Sequence, residues 1–179
     1  MKALFLALNA SYSHTSLAVR SICEYIKKYL KSFEEDEQKR LEVDFTEYTI
    51  NQPVGEVVRG ISESKADIVF FATYIWNAEY VCKIIPDIKK ILPTAIVCAG
   101  GPEFGYAPEK YFKKLPSLDY IFCGEGELVV SEFLVSIALK KNLVNFNNCK
   151  EIFKLNLSQP TIISKSKENE EYGIYQKEN

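Results

Sequence analysis

The chain has 179 residues, 47% of them hydrophobic, enough for one sizeable core that buries roughly 70% of the unfolded chain's surface at this length. Its 22 basic and 24 acidic residues are spread along the sequence and nearly cancel, which argues against nucleic acid as a partner. The five cysteines, Cys23, Cys82, Cys98, Cys123 and Cys149, lie far apart, with no paired spacing for zinc or an iron–sulfur cluster, and read as buried thiols of a cytoplasmic protein.

The opening MKALFLAL is too short for a signal peptide's apolar region or a membrane span, and reads as a first strand, Ala3 to Leu8. A helix follows with Ala18, Ile22, Tyr25, Ile26, Tyr29 and Phe33 on one face, ended by a charged run from Glu34 to Arg40 that reads as a solvated turn. Further strands are expected at Leu41 to Tyr48, Asp67 to Ala72, Thr94 to Ala99 and Leu118 to Cys123. Between them lie a weak helix over Val54 to Ser62 and a clearer one with a stripe of Val81, Ile84, Ile85, Ile88, Ile91 and Leu92. In the second, Pro86 should mark a kink or a first turn. Short and longer helices are expected at Pro108 to Lys114 and Glu127 to Lys140. From Asn142 onward, IFKLN and TIISK suggest a small C-terminal β extension, and SKSKENEEYGIYQKEN reads as a charged linker tail.

This alternation predicts a flavodoxin-like, doubly wound parallel sheet of five strands in the order 2-1-3-4-5, in three α/β/α layers, over residues 1–141. In such sheets ligands bind beyond the carboxyl ends of the strands. Four loops fall there: NASYSHTS, TYIWN, GGPEFGY and GEGE. Gly100 and Gly101 allow either a close backbone approach to a ligand or a tight turn before Pro102. Gly124 and Gly126 bracket Glu125 at a helix start, where carboxylates are favoured in any case. Tyr74, Ile75 and Trp76 form either a wall for a large flat ligand or a packing surface for a neighbour.

Taken together, LNASYSHTSLAVR, ADIVFFATYIWN, AIVCAGGPEFGYAP and DYIFCGEGE resemble the amino-terminal cobalamin-binding domain of cobalamin-dependent radical S-adenosylmethionine enzymes. That group includes anaerobic magnesium-protoporphyrin monomethyl ester cyclase-like proteins. The resemblance implies that Thr73, Tyr74 and Ile75 stand in a Ser-x-Leu loop and Gly100 and Gly101 in a Gly-Gly strand end, two features that accommodate the cofactor's nucleotide tail. It extends the implied cofactor contacts to Ser11, Tyr12, Ser13, His14 and Thr15, to Trp76, Glu103 and Phe104, and to Gly124, Glu125 and Gly126. His14 is also a weak candidate for a cobalt ligand. The family's Asp-x-His-x-x-Gly pattern is broken, because Tyr12 and Leu17 occupy the supporting positions. His14 can therefore be read as a ligand, as a noncovalent neighbour of the corrin, or as a loop residue, with Ser13 or Thr15 capping the helix.

A complete radical enzyme of this kind also needs a Cys-x-x-x-Cys-x-x-Cys motif and a barrel of roughly 200 further residues or more, neither of which is present. The resemblance therefore implies a cofactor module that performs no catalysis alone. Its S-adenosylmethionine and 4Fe-4S cluster would be bound by a radical barrel outside this sequence. Two other readings stay open. One is an FMN-binding redox domain using the hydroxyl-rich first loop, and the other a docking domain that binds no cofactor and presents Tyr74, Trp76, Phe104 and Tyr106 to a partner. A phosphoryl-accepting response domain is disfavoured, since Asn9 and Thr73 stand where carboxylates would be required.

Overall fold

The computed structural model describes residues 1–144, 147–149, 160–165 and 172–176. Strands β1 (Lys2–Asn9), β2 (Glu42–Thr49), β3 (Ile68–Ala72), β4 (Ile96–Gly100) and β5 (Tyr120–Cys123) are parallel and lie in the order β2-β1-β3-β4-β5, as expected. Helices α1 (Leu17–Leu30), α3 (Val54–Glu63), α4 (Ala78–Ile91), α6 (Pro108–Lys114) and α7 (Glu127–Leu139) make the crossovers. Two shorter helices, α2 (Glu35–Gln38) and α5 (Pro102–Tyr106), fall in segments read as a turn and a loop.

Each central strand is buried on both faces, and its two-residue period divides the core. Ala3, Phe5 and Ala7 of β1, with Phe70 and Phe122, pack against α1 and α7. Leu4, Leu6 and Leu8, with Phe71 and Ile121, pack against α3, α4 and α6. An aromatic cluster holds the first face, with Phe5 stacked on Phe70 at 4.4 Å and Phe133 edge-on to Phe70 and Phe122.

The structure corrects several local expectations. The buried stripe of α1 is Val19, Cys23, Ile26 and Leu30, so Ala18 and Tyr25 face outward. Ser16, rather than Ser13 or Thr15, caps the helix, accepting from the Val19 amide at 3.4 Å. Helix α4 continues through Pro86, which stands in its interior and not in its first turn, and Ile91 at its end is exposed.

Beyond α7 the sheet continues instead of stopping. Strand β7 (Thr161–Lys165) pairs antiparallel with β5, and β8 (Tyr172–Gln176) and β6 (Asn147–Cys149) extend it in the order β5-β7-β8-β6. Ile162 and Ile163 are fully buried, one on each face, so this extension completes the core. The tail reading fails over 172–176, where alternation in YGIYQ buries Ile174 against the first core cluster. The expected strand IFKLN lies outside the described residues.

Candidate functional site

At the carboxyl edge of the sheet, a crevice of about 260 Å³ opens between α1 and α7. Its base is the aromatic face made by Phe5, Phe70 and Phe122, and one wall is Ala18 and Ile22 of α1. The same rotation that turns Ala18 out of the core turns it toward this opening. Gly100, Gly101, Gly124 and Gly126 line the crevice, and a Cβ at Gly100 or Gly126 would meet its lining at Phe122 or Ile22. Glu125 and Glu127 border it, and Ser21 of α1 donates to Glu127 at 3.2 Å, tying the two helices together.

Gly101 answers to backbone geometry. With φ of 101° and ψ of 170° it occupies a region essentially closed to other residues, and an added Cβ would lie 2.5 Å from the Thr73 carbonyl oxygen. The β3 and β4 loops cross at this point. The Thr73 amide donates to the Gly100 carbonyl at 2.7 Å, and its hydroxyl donates to the same oxygen at 2.8 Å while accepting from the Phe104 amide at 3.2 Å. Thr73 is fully buried and spends its hydroxyl inside the protein; it does not line the crevice. Phe104 is likewise buried, stacked on Tyr111 at 3.7 Å, and Glu103 accepts from the Tyr111 hydroxyl. These three belong to the frame behind the crevice, and Phe104 drops out of any surface patch.

Tyr74 stands at the mouth, stacked on Trp76 at 4.5 Å with the rings within 3° of parallel. Beyond the pair lies a second concavity of about 450 Å³, bordered by His14, Thr15, Leu17 and Ala18. Tyr12, 93% exposed, Ile75, 81% exposed, and Trp76, 49% exposed, make the surrounding rim unusually apolar for free surface.

The first loop is pinned on either side of His14. Asn9 donates to the His14 carbonyl at 2.9 Å, and Glu47 of β2 accepts from the Ser16 amide at 2.6 Å, the Thr15 hydroxyl at 2.9 Å and the Arg20 guanidinium at 2.7 Å. Burial alone would raise Glu47, but the Ser16 amide, Arg20 and Thr15 together hold its carboxyl below the ordinary glutamate value. Ser11 and Ser13 are hydrogen-bonded to each other at 2.6 Å. A carboxylate thus occupies the anion position at the start of α1, where an FMN phosphate would have to sit. The His14 imidazole makes no hydrogen bond or ion pair among the described residues, and no group of three or more His, Cys, Asp or Glu capable of holding a metal occurs among them.

Of the residues singled out from sequence, the crevice gathers Tyr74, Gly100, Gly101, Gly124, Glu125 and Gly126, and the outer concavities gather His14, Thr15, Trp76 and Tyr12. Ala18, Ile22 and Glu47 were not foreseen. A small residue at position 18, beside the apolar stripe, was the available signal for the first of these; Glu47 gives none, since its partners lie far away in sequence.

Comparison with known proteins agrees with this geometry. A cobalamin-dependent radical SAM methyltransferase, TokK, of Streptomyces tokunonensis is 34% identical over 104 residues, 58% of this chain and 15% of that protein. A 2-(S-pantetheinyl)-carbapenam-3-carboxylate methyltransferase of Streptantibioticus cattleyicolor is 31% identical over 93 residues, 49% of this chain and 14% of that protein. The chain thus spans about 15% of the length of the curated relatives it matches. The fold is similar to that of the cobalamin-dependent S-adenosylmethionine radical enzyme OxsB, solved with aqua-cobalamin and S-adenosylmethionine bound. The TM-score is 0.68 at 15% identity, covering 95% of this chain and 21% of that one. Residues 3–134, which contain the sheet edge, the crossed β3 and β4 loops and the crevice between α1 and α7, match the model of the B12 binding domain, and the chain belongs to that family.

Proposed function

We propose that this chain holds cobalamin for a radical S-adenosylmethionine enzyme and does no chemistry by itself. The observation that carries the proposal is the glycine-lined, apolar-based crevice between α1 and α7, opening onto an aromatic rim. Its 260 Å³ is below the roughly 300–1,000 Å³ of a pocket that swallows a whole ligand, so it suits an extended tail while the larger ring stays at the edge. The residues fit the cofactor in this sense. Phe5, Phe70 and Phe122 offer an apolar base, Gly100 and Gly126 leave room, and Tyr74 and Trp76 offer a flat apolar surface at the mouth. Cobalamin supplies a cobalt–carbon bond that can be made and broken; the protein residues bind and orient it and keep water from its tail.

In this reading the cofactor domain is the fold of residues 1–141 together with β7 and β8, which complete its sheet, and the exposed rim of Tyr12, Ile75 and Trp76 faces a radical barrel. The cluster and S-adenosylmethionine belong to the barrel, and methyl transfer or another radical reaction belongs to the complete enzyme in the cytoplasm. No helix among the described residues is long and apolar enough to cross a membrane. His14 borders the rim without an orienting partner, which favours a neighbour of the corrin over a cobalt ligand.

The test is titration with hydroxocobalamin and methylcobalamin, followed by desalting and a visible spectrum. Ala18→Phe fills the crevice from an exposed helix position and replaces no buried side chain, so retention should fall about tenfold or more, equivalent to about 1.4 kcal/mol, with the melting temperature not lowered. Wild-type retention by Ala18→Phe would sink the crevice assignment. An unchanged spectrum in His14→Ala is the expected result; a shifted one would make that histidine a ligand.

A further inference from the structure

Asn77 stands at the N-cap of α4, a place where asparagine normally accepts a hydrogen bond from the first turn of its own helix. It does not do so here. The side chain is fully buried and points back into the sheet, where its Nδ2 donates to the Leu8 carbonyl at the end of β1 and to the Ala72 carbonyl at the end of β3, both at 3.0 Å. Its Oδ1 accepts from the Tyr74 amide at 2.8 Å, and its own amide donates to the Tyr74 carbonyl at 3.1 Å. One side-chain amide thereby uses both donors and its acceptor on three backbone points, the ends of two strands and the start of the loop that follows the second.

The loop closed by these bonds is Tyr74, Ile75 and Trp76. Neither the Ile75 nor the Trp76 amide has a partner among the described residues, so the loop's attachment to the sheet runs through Tyr74 and Asn77. We infer that Asn77 is the positioning residue of the aromatic mouth, fixing the Tyr74 and Trp76 stack over the crevice so that the cofactor meets a preformed surface. This rests on the cobalamin reading given above. Its chemistry is specific: aspartate at 77 would place a second acceptor against the Leu8 and Ala72 carbonyls, and alanine would remove the donor from both carbonyls and the acceptor from the Tyr74 amide. Serine keeps an acceptor for the Tyr74 amide and one donor.

Trp76 is the chain's only tryptophan, so its fluorescence reports this loop alone. In folded apo protein, verified by far-ultraviolet circular dichroism, acrylamide quenching of Trp76 should rise about twofold in Asn77→Ala and Asn77→Asp, with Asn77→Ser between them and wild type. Cobalamin affinity should fall in the same order, by about tenfold at the extreme, the equivalent of one lost buried hydrogen-bond partner. A loss of melting temperature with quenching like that of wild type would show a purely structural residue and overturn the inference. Hydrogen exchange on wild-type protein tests the same geometry without a variant: the Tyr74 amide should exchange at least tenfold more slowly than those of Ile75 and Trp76, and equal rates would overturn it. If wild type retains no cobalamin, the cofactor reading fails, while the quenching and exchange results still decide the role of Asn77.

Discussion

Replacing Gly101 by alanine tests the crossing of the β3 and β4 loops. A residue other than glycine forced to φ near +100° costs about 1–3 kcal/mol. The new methyl group would also meet the Thr73 backbone, with its oxygen at 2.5 Å and its nitrogen at 3.0 Å, neither of which is the yielding end of a side chain. Relief requires shifting Thr73, which weakens the bonds from the Thr73 amide to Gly100 at 2.7 Å and from the Glu103 amide to Thr73 at 3.3 Å, each worth about 1 kcal/mol. The total loss is about 3–5 kcal/mol, a large share of the roughly 5–15 kcal/mol that stabilises an ordinary domain. Gly100→Ala is the control, since its Cβ would sit 3.4 Å from Phe122 in ordinary contact and at an ordinary φ. Urea unfolding of the two variants should separate them by at least about 2 kcal/mol. Equal midpoints would refute the claim that backbone geometry requires this glycine.

Glu47→Gln removes a carboxylate that accepts from Ser16, Thr15 and Arg20, and should cost about 1–3 kcal/mol at pH 7 by urea unfolding. Because the folded pKa lies below the ordinary 4.5, that stabilisation is complete above 4.5 and is lost as pH falls through the folded value. The gap between wild type and variant should therefore close in acid, and a gap that widens would contradict the assignment. Ile163→Ala should cost about 2–5 kcal/mol, a core penalty, if β7 is integral to the sheet; a loss below about 1 kcal/mol would make it an appendage. Burial pushes the Cys23 and Cys123 thiols up to about 12 and raises Cys82 and Cys98 as well, so in a Cys149→Ser background all four should resist a disulfide reagent at pH 8 until urea is added.

The parallel sheet was legible because its central strands are short, largely apolar runs set off by helices with their own period, as in IVFFA before α4 or YIFC before α7, while β2 at the edge alternates as EVDFTEYT. The crevice glycines were legible for the same reason, as each stands where a recognisable strand ends. What escaped depends on contacts far apart in sequence. The inward face of α1 was misjudged by one residue, because Ala18 and Tyr25 are apolar enough to join a stripe yet lie beside the buried Val19, Cys23, Ile26 and Leu30. Thr73 looked like a contact for a ligand, and only the approach of Gly100 and Phe104 reveals that its hydroxyl is already committed. The YGIYQ strand hid in a charged tail because it buries only one side chain, Ile174, and is held otherwise by backbone pairing with β7 and β6.

The strict alternation of the central strands separates two tasks that many binding proteins mix. The crevice draws its base from the α1 and α7 face, whereas Leu4, Leu6, Leu8, Val69 and Val97, backed by α3 and α4, are sealed behind the sheet. Substitutions that tighten the rear layer can raise the tolerance of the whole fold without reshaping the front. A protein arranged in this way can change the ligand it accepts by drifting on one side only, its reserve of stability held on the other.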